Sequence, residues 1–288
     1  MSTQLKKNVA LICVVFFVSM LFSGFTAFAG AAGTGTDEEL REIPLYIHGI
    51  LVGKGVKIDE TTYVPLRTFC ETLDRAIEVS WDQTTQTVTI AAEGLIATAK
   101  LGEQYMVANG RYLYIPGGVI EVDGALMLPI REIAKCFGAV ISWHDEDWSV
   151  SIDAEKIVPL ADAAEFYDEE DLYWLSRIIN AESGNQLLDG KIGVGNVVLN
   201  RVDDETCPDT IYDVIFDDRY GVQFTPTVTG TINDIPNEGS VMAAKMCFEG
   251  YSTVGDSLYF VNPEVGLSAW FYENFTYVAT LGDHVFYA

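Results

Sequence analysis

The chain has 288 residues, with 42 acidic against 17 basic side chains, a formal net charge of −25 and 49% hydrophobic residues. This length is enough for two ordinary domains, and the hydrophobic content is that of a globular protein rather than a disordered one. The negative charge argues against nucleic acid as a partner. An anionic substrate would have to be held by shape, aromatic contact and hydrogen bonds.

Residues 1–29 have the organisation of a secretory signal peptide. Lys6 and Lys7 form a positive segment, residues 9–22 form an apolar segment, and Ala27-Phe28-Ala29 is a small-x-small cleavage site. The apolar segment is short for a membrane span. We therefore expect a secreted protein with no stable membrane span after cleavage. The alternative is an uncleaved N-terminal anchor.

A duplicated pattern follows a linker at residues 30–42. In each copy a Pro-[Leu/Ile]-Arg element opens a helix, and a Ser-Trp strand and an alternating strand come next. Pro65 and Pro129 occupy the same position in the two copies, 64 residues apart. Because repeated units of this kind share one core, we expect a small mixed α/β duplicated domain at residues 43–153.

This repeated element resembles the copper amine oxidase N-terminal-like domain of secreted bacterial proteins. The resemblance implies an accessory, wall-facing module. It does not predict copper, because His48 and His144 have no adjacent ligand cluster and a copper site usually needs several nitrogen or sulfur ligands. We expect no metal and no cofactor.

The second domain is expected at residues 168–288, after an acidic linker at 154–167. Its first helix runs from an N-cap at Asp168 to a stop at Gly184, and an apolar face recurs at helical spacing. Glu182 falls on that face, three residues after Ile179. A carboxyl group held against apolar surface has a raised pKa and can serve as a general acid. The alternative is a helix-end glutamate that reaches water.

The rest of this domain is predicted to be a mostly helical α+β fold. A helix at residues 187–202 contains Gly193 and Gly195, which suggests close backbone contact with a neighbour. Another helix is predicted at residues 237–249. Strands are predicted last, at residues 257–261, in the Trp270-Phe-Tyr segment and at residues 282–287.

Six motifs in this domain, in order and spacing, resemble the SleB-type cell-wall hydrolase family, known for spore cortex-lytic enzymes. They lie at residues 181–184, 196–202, 208–215, 223–225, 258–263 and 282–286. The resemblance implies a lysozyme/transglycosylase-like catalytic domain that acts on peptidoglycan glycan strands in the cell wall or spore envelope. It implies cleavage between N-acetylmuramic acid and N-acetylglucosamine as a lytic transglycosylase, with Glu182 as catalyst. It leaves protein partners open.

Substrate contacts are expected from amides that bind N-acetyl groups and from aromatic faces that stack on sugar rings. For each of these residues, core packing or turn chemistry is an equal alternative. The candidates are Gln223, Phe224, Thr225, Tyr259, Asn262, Trp270 and, near the groove, His284.

Other chemistries are less well supported by the residues present. A zinc amidase needs several His or acidic ligands, and this domain has one histidine. A cysteine peptidase would need a thiol at a helix N-terminus or a similar activating site, and neither Cys207 nor Cys247 lies in one.

The open alternatives are a hydrolytic muramidase with a second carboxylate and a non-catalytic wall-binding protein. Candidates for a second carboxylate are Asp209, Asp213, Asp217, Asp234, Glu264, Glu273 and Asp283. Four cysteines follow the signal, and buried free thiols are favoured over a Cys207–Cys247 bridge.

Overall fold

The computed structural model describes residues 41–263 and 269–288. The predicted signal peptide, all but the last two residues of the linker at 30–42, and Glu264 lie outside the described residues. The chain divides into two compact units that meet between Phe166 and Tyr167. No helix in the described residues has both the length and the apolar character needed to cross a bilayer.

The first unit is built on two sheets. A seven-stranded sheet has the order β11-β12-β1-β2-β3-β10-β9, and a five-stranded sheet has the order β4-β5-β6-β7-β8. The strands are β1 (Arg41–Ile47), β2 (Ile50–Ile58), β3 (Thr61–Pro65), β4 (Glu78–Asp82), β5 (Thr87–Ala92), β6 (Leu95–Lys100), β7 (Tyr105–Ala108), β8 (Arg111–Tyr114), β9 (Ile120–Val122), β10 (Ala125–Pro129), β11 (Val140–His144) and β12 (Ser149–Asp153). The helices are α1 (Leu66–Leu73), α2 (Ile130–Phe137) and α3 (Ala163–Phe166).

The two sequence copies meet at the centre of this unit. Strand β3 of the first copy pairs antiparallel with β10 of the second. Pro65 and Pro129 are the N-cap residues of α1 and α2, in extended conformation. The rings of Phe69 and Phe137, one from each helix, have centroids 6.4 Å apart. The copies therefore share one core, as the repeat predicts.

The hairpins of the two copies join different sheets. Strands β4 and β5 extend the five-stranded sheet, whereas β12 pairs in parallel with β1 and brings β11 into the seven-stranded sheet. Strands β6, β7 and β8, between the copies, form the rest of the five-stranded sheet. The sequence analysis has no prediction for these three strands.

The second unit is mostly helical, with one small sheet in the order β13-β15-β14. Its helices are α4 (Glu169–Ser183), α5 (Leu188–Asp203), α6 (Ile211–Ile215), α7 (Pro226–Thr229), the short 3₁₀ helix Thr231–Asn233, α8 (Glu238–Phe248) and α9 (Ala269–Asn274). Its strands are β13 (Tyr259–Val261), β14 (Tyr277–Leu281) and β15 (His284–Tyr287). The predicted fold class, a small mixed α/β duplicated domain followed by a mostly helical α+β domain, is confirmed.

Helix α4 begins as predicted. The Asp168 carboxylate accepts hydrogen bonds from the backbone N–H groups of Glu170 and Asp171, which otherwise have no partner in the helix. The helix stops at Ser183, but Gly184 stays in the right-handed conformation. A side chain at Gly184 would meet the Asn180 carbonyl oxygen at 2.5 Å. Close packing, rather than a left-handed turn, therefore requires this glycine.

The glycines of α5 allow two neighbours to approach its backbone. A Cβ at Gly193 would lie 2.8 Å from the Phe286 ring, and one at Gly195 would lie 2.6 Å from Cys247 Sγ and 2.9 Å from Ile179 Cδ1. The predicted close contact is thus confirmed. It joins α5 to α4, α8 and β15.

The end of the chain differs from the sequence prediction in two elements. Strand β14 is not predicted, because its sequence Tyr-Val-Ala-Thr-Leu lacks the alternation of apolar and polar positions that marks a half-buried strand. The strand predicted at Trp270-Phe-Tyr is wrong: these residues lie in the short helix α9, whose Phe271 is buried against Val285 and Tyr287 of β15.

Candidate active site

Glu182 lies in the last turn of α4, on the face that also carries the fully buried Ile178 and Ile179. The residue is partly buried and keeps some contact with solvent. Burial removes water from the charged form and raises the pKa of its carboxyl to about 7, against the opposing effect of the Arg201 guanidinium. At neutral pH the group is therefore divided between acid and carboxylate, as a proton donor that must also accept a proton requires.

Arg201, on α5, is the charged neighbour of Glu182. The side chain is buried, and its Nε donates a hydrogen bond of 2.8 Å to the Leu258 carbonyl. Its guanidinium carbon lies 5.2 Å from the ring centroid of Phe224 and 5.6 Å from that of Tyr259. Arg201 thus lies near two predicted substrate residues, and its charge acts on Glu182. Arg201 is not among the site residues predicted from the sequence, although a charged residue in a helix rich in valine is a usable signal.

Phe224 and Tyr259 are therefore brought together around Arg201. Phe224 is buried and packs against Phe260, with centroids 6.3 Å apart. Tyr259 is partly buried and packs against Phe275 at 4.4 Å. Trp270 meets the same Phe275 edge-on at 5.9 Å. These aromatic residues form two groups, Phe224 with Phe260 and Tyr259 with Phe275 and Trp270, and the Arg201 guanidinium lies near a ring of each.

His284 is buried beside Phe260. Its ring lies 4.8 Å from that of Phe260, and its Nδ1 is 3.2 Å from Gln186 Nε2. Burial lowers the pKa of His284, against the opposing effect of Asp283. A buried, mostly neutral imidazole that contacts a ring and an amide is a packing and hydrogen-bonding residue, the alternative that the sequence analysis leaves open for this position.

The Gln-Phe-Thr loop is held largely by its own hydrogen bonds. Gln223 donates from Nε2 to the Gly221 carbonyl at 2.9 Å. The Thr225 carbonyl accepts from the backbone N–H groups of Val228 and Thr229, both at 3.1 Å. Turn chemistry thus accounts for one donor of Gln223 and for the Thr225 backbone. Asn262 is partly buried directly after β13.

Polar residues of α5 hold the segments on either side of the site. Lys191 donates from Nζ to the Gly184 carbonyl at 3.0 Å, directly after α4. Asn196 donates to the Tyr251 carbonyl at 2.8 Å and Asn200 to the Ser257 carbonyl at 2.9 Å. The polar residues of the motif at 196–202 therefore fix the chain before β13, and Arg201 continues this row.

The candidate second carboxylates lie in other surroundings. Asp217 is 11% exposed and is bound by Arg219, whose hydrogen bonds lower the pKa of Asp217. Among the described residues, the charged group that acts on Glu182 is Arg201. A carboxylate close by would instead raise the pKa of Glu182. The candidates that are exposed are Asp209, Asp213, Asp234, Glu273 and Asp283.

The cysteines and possible metal ligands offer no other catalyst in the described part of the chain. Cys70, Cys136, Cys207 and Cys247 are free, as the sequence analysis favours. Burial raises the pKa of both Cys207 and Cys247, which keeps these thiols protonated and poorly nucleophilic. Residues 41–263 and 269–288 contain no cluster of three or more His, Cys, Asp or Glu side chains that would hold a metal ion.

Two known families match separate parts of the chain. Residues 185–287 match the Cell Wall Hydrolase family. The second domain belongs to this cell wall hydrolase family. Residues 52–152 match the Copper amine oxidase N-terminal domain. The hydrolase match begins three residues after Glu182, so the assignment of a role to Glu182 depends on its position and environment in the structure.

Several curated relatives of this cell wall hydrolase domain are named spore cortex-lytic enzymes. The protein from Bacillus cereus is 30% identical over 120 residues, which is 42% of this chain and 45% of the relative. The protein from Oceanobacillus iheyensis is 27% identical over 128 residues, 44% of this chain and 45% of the relative. The chain thus spans less than half the length of these relatives. The crystal structure of the catalytic domain of the Bacillus cereus SleB protein is 30% identical, covering 42% of this chain and 92% of that domain, with a TM-score of 0.39.

Proposed function

We propose that this protein is a peptidoglycan-lytic enzyme whose second domain cleaves the glycan strand at Glu182. The observation that carries the proposal is the partly buried carboxyl on the apolar face of α4, with its pKa raised to about 7. Its membership of the cell wall hydrolase family supports peptidoglycan as the substrate. The names of the curated relatives support a lytic activity on spore cortex.

The proposed reaction is that of a lytic transglycosylase acting between N-acetylmuramic acid and N-acetylglucosamine. Glu182 gives its proton to the bridging glycosidic oxygen as the bond from that oxygen to the anomeric carbon breaks. The resulting carboxylate accepts the proton of the sugar's own 6-hydroxyl as that oxygen bonds to the anomeric carbon. The product is a 1,6-anhydro-muramic end, and Glu182 is protonated again. A pKa near 7 suits both proton transfers, since neither form of the group is strongly favoured.

The environment of Glu182 favours this reaction over paired-carboxylate hydrolysis. A glycosidase that uses two carboxyl groups holds them roughly 5–10 Å apart. In the described residues, the charge that acts on Glu182 is the guanidinium of Arg201. Asp217, the partly buried alternative, is occupied by Arg219. A hydrolytic muramidase that recruits one of the exposed acids is the second candidate.

The aromatic residues beside Arg201 are proposed to line the glycan path. Tyr259 and Trp270 are partly buried, so each presents some ring surface to solvent. Phe224 is buried and is proposed to support them rather than to touch sugar. Gln223 and Asn262 are proposed to bind N-acetyl groups at the edge of the path.

The first domain is proposed to be an accessory module of a secreted, wall-acting protein. Its match to the Copper amine oxidase N-terminal domain supports a separate module. Export through the N-terminal signal and action at the wall or spore envelope are part of the same proposal. No nucleic acid partner is proposed, given the net charge of −25.

Product analysis tests the reaction. Purified sacculi and isolated spore cortex are incubated with the full chain, and the released muropeptides are identified by mass spectrometry. The proposal expects anhydro-muramic ends. Reducing muramic ends would replace the transglycosylase with the muramidase. Binding without release would identify a wall-binding protein and overturn the proposed enzyme.

A further inference from the structure

We infer that Arg201 is a substrate-binding residue, whose terminal guanidinium nitrogens hold a carbonyl or carboxylate oxygen of the sugar next to the bond that Glu182 acts on. This inference rests on the proposed function, since it assigns the chemistry of one subsite of the same cleft. It goes beyond the packing and motif roles described above.

Arg201 is fixed at one end. Its Nε donates to the Leu258 carbonyl, and its guanidinium lies near the Phe224 and Tyr259 rings. The whole side chain is 8% exposed. Such an arginine is preorganised, because little side-chain freedom is left to lose when a ligand binds.

The other end of Arg201 is available. Among the described residues its terminal nitrogens have no hydrogen-bond acceptor, since its one hydrogen bond is made by Nε. The polar side-chain atoms that are both enclosed and without a partner in the described chain are Arg177 Nε and Gln186 Oε1. The terminal nitrogens of Arg201 are not among them and so keep contact with solvent. A nearly buried cation thus offers its donors at an opening.

The other basic residues of the second domain are engaged differently. Lys191 donates to the carbonyls of Gly184 and Gln186. Arg219 is paired with Asp217. Arg177 donates to the Asp234 carbonyl, and Lys245 lies 5.4 Å from the Tyr167 ring centroid. Arg201 is the basic residue whose charge acts on Glu182.

The glycan offers matching acceptors beside the scissile bond. A guanidinium binds carboxylate and carbonyl oxygens through paired N–H donors. The muramic acid residue carries such oxygens on two neighbouring groups, the acetamido group and the lactyl group. The shared chemistry is a carbonyl-type oxygen within a few ångströms of the anomeric carbon. In so acidic a protein, one fixed arginine also offsets the repulsion of an anionic lactyl group.

The test compares substrates rather than total activity, because loss of a buried arginine also disturbs packing. The rates of the full chain and of Arg201→Lys are measured as kcat/KM on three glycans: native strands, de-N-acetylated strands, and strands whose stem peptides an amidase has removed to expose the lactyl carboxylate. Arg219→Lys is the matched control, because it changes an exposed arginine of the same domain.

If Arg201 binds the acetamido oxygen, the kcat/KM of the wild type is about 10-fold or more higher on native than on de-N-acetylated strands. This is the usual effect of one charge-assisted hydrogen bond. Arg201→Lys then reduces that preference to about 2-fold. If Arg201 binds the lactyl group instead, the kcat/KM of the wild type is higher on the amidase-treated strands than on native strands. Arg201→Lys loses this increase. Arg219→Lys keeps the wild-type pattern. A loss by the same factor on all three glycans overturns the inference and leaves a packing role.

A binding measurement covers the case in which Arg201→Lys does not fold. Glu182→Gln protein, which retains Arg201, is titrated with acetylated, de-N-acetylated and lactyl-bearing fragments by calorimetry. Equal affinity for all three overturns the inference. Full activity of Glu182→Gln would instead overturn the catalytic role of Glu182, so the two failures are distinguishable.

Discussion

Glu182 and Asp217 are both partly buried carboxylates of the second domain, yet their environments act on them in opposite directions. Asp217 lies in a loop and is held by Arg219, whose hydrogen bonds lower its pKa. Glu182 projects from a helix face among isoleucines, and burial raises its pKa to about 7 although Arg201 opposes the change. The two arginines differ in their hydrogen bonds. Arg219 donates directly to the Asp217 carboxylate, whereas Arg201 donates to the Leu258 carbonyl.

This comparison separates a structural acid from one that is able to transfer a proton. A directly bonded carboxylate is held in its charged form, so it neither gives nor takes a proton near neutral pH. A desolvated carboxyl with a more distant cation has a pKa near 7, so its protonated and charged forms are both populated at neutral pH. Burial alone therefore does not make a carboxyl a proton donor near neutral pH, whereas burial without a bonded cation raises its pKa into that range.

Exchanging the two acids for amides gives the largest expected effect. Glu182→Gln removes the transferable proton and is expected to lower lytic activity on sacculi by about 10²–10⁴-fold. Asp217→Asn is expected to stay within about 2-fold of the wild type. Both rates are measured as turbidity loss, and circular dichroism checks the fold. Comparable losses in the two variants would contradict the distinction.

The pH profile is expected to show the same acid. The first proton transfer needs protonated Glu182, so activity falls as pH rises through about 7. Two units above that value the loss approaches about 100-fold if this step limits the rate. The rate is measured between pH 4 and 9 on glycan strands from which the stem peptides have been removed. A profile that is flat from pH 6 to 9 would exclude Glu182 as the proton donor.

Glu182→Gln is expected to raise stability at alkaline pH although it lowers activity. The folded pKa of Glu182 is above its unfolded value, so its stabilising contribution is present at low pH and is lost as pH rises through about 7. Glu182→Gln is therefore expected to be more stable than the wild type at pH 8, by on the order of 1–3 kcal/mol, and unchanged at pH 4. Urea unfolding at both pH values measures this, and equal differences at the two values would contradict it.

The packing behind Glu182 is expected to be sensitive to a single methyl group. Gly195→Ala would place a Cβ 2.6 Å from Cys247 Sγ and 2.9 Å from Ile179 Cδ1, at an expected loss of about 1–3 kcal/mol. Gly239→Ala is the control, since its nearest contacts are 3.5 Å or longer and alanine favours the helix. Thermal unfolding compares the two. If Gly195→Ala leaves the unfolding temperature unchanged, α4 and α5 have room to adjust.

The smallest expected effect is the stability change on removing the Asp217 carboxylate. The folded pKa of Asp217 is lowered, so its stabilising contribution is present above its unfolded pKa and is lost as pH falls through the folded value. Asp217→Asn is expected to lose about 1 kcal/mol or less at pH 7, because Arg219 is half exposed. The loss disappears in acid, in contrast to the Glu182 variant. A loss that persists at pH 2 would indicate packing instead.

Sequence reasoning finds the features that are local along the chain. The cap at Asp168, the apolar face of α4 and the odd position of Glu182 all follow from helical spacing, and the double Pro-[Leu/Ile]-Arg element predicts the duplicated core. Gly193 and Gly195 predict close contact because glycine in a helix interior is unfavourable without a packing reason.

The remaining features depend on contacts that are distant in sequence. Arg201 is anchored on Leu258, 57 residues away, and nothing near position 201 reveals that partner. His284 is identified in the sequence, but its burial against Phe260 and Gln186 comes from tertiary packing. Strand β14 is missed because an exposed edge strand has little alternation to detect.

The strand order of the first domain has a consequence for how that domain is assembled. Strand β1, the first in the described chain, lies between β12 and β2, and the two repeats are joined through β3 and β10. Neither repeat can therefore be excised as a smaller working unit, since each would expose an unpaired strand edge at the point where the other belongs. A single repeat would therefore need a second copy of itself to cover that strand edge.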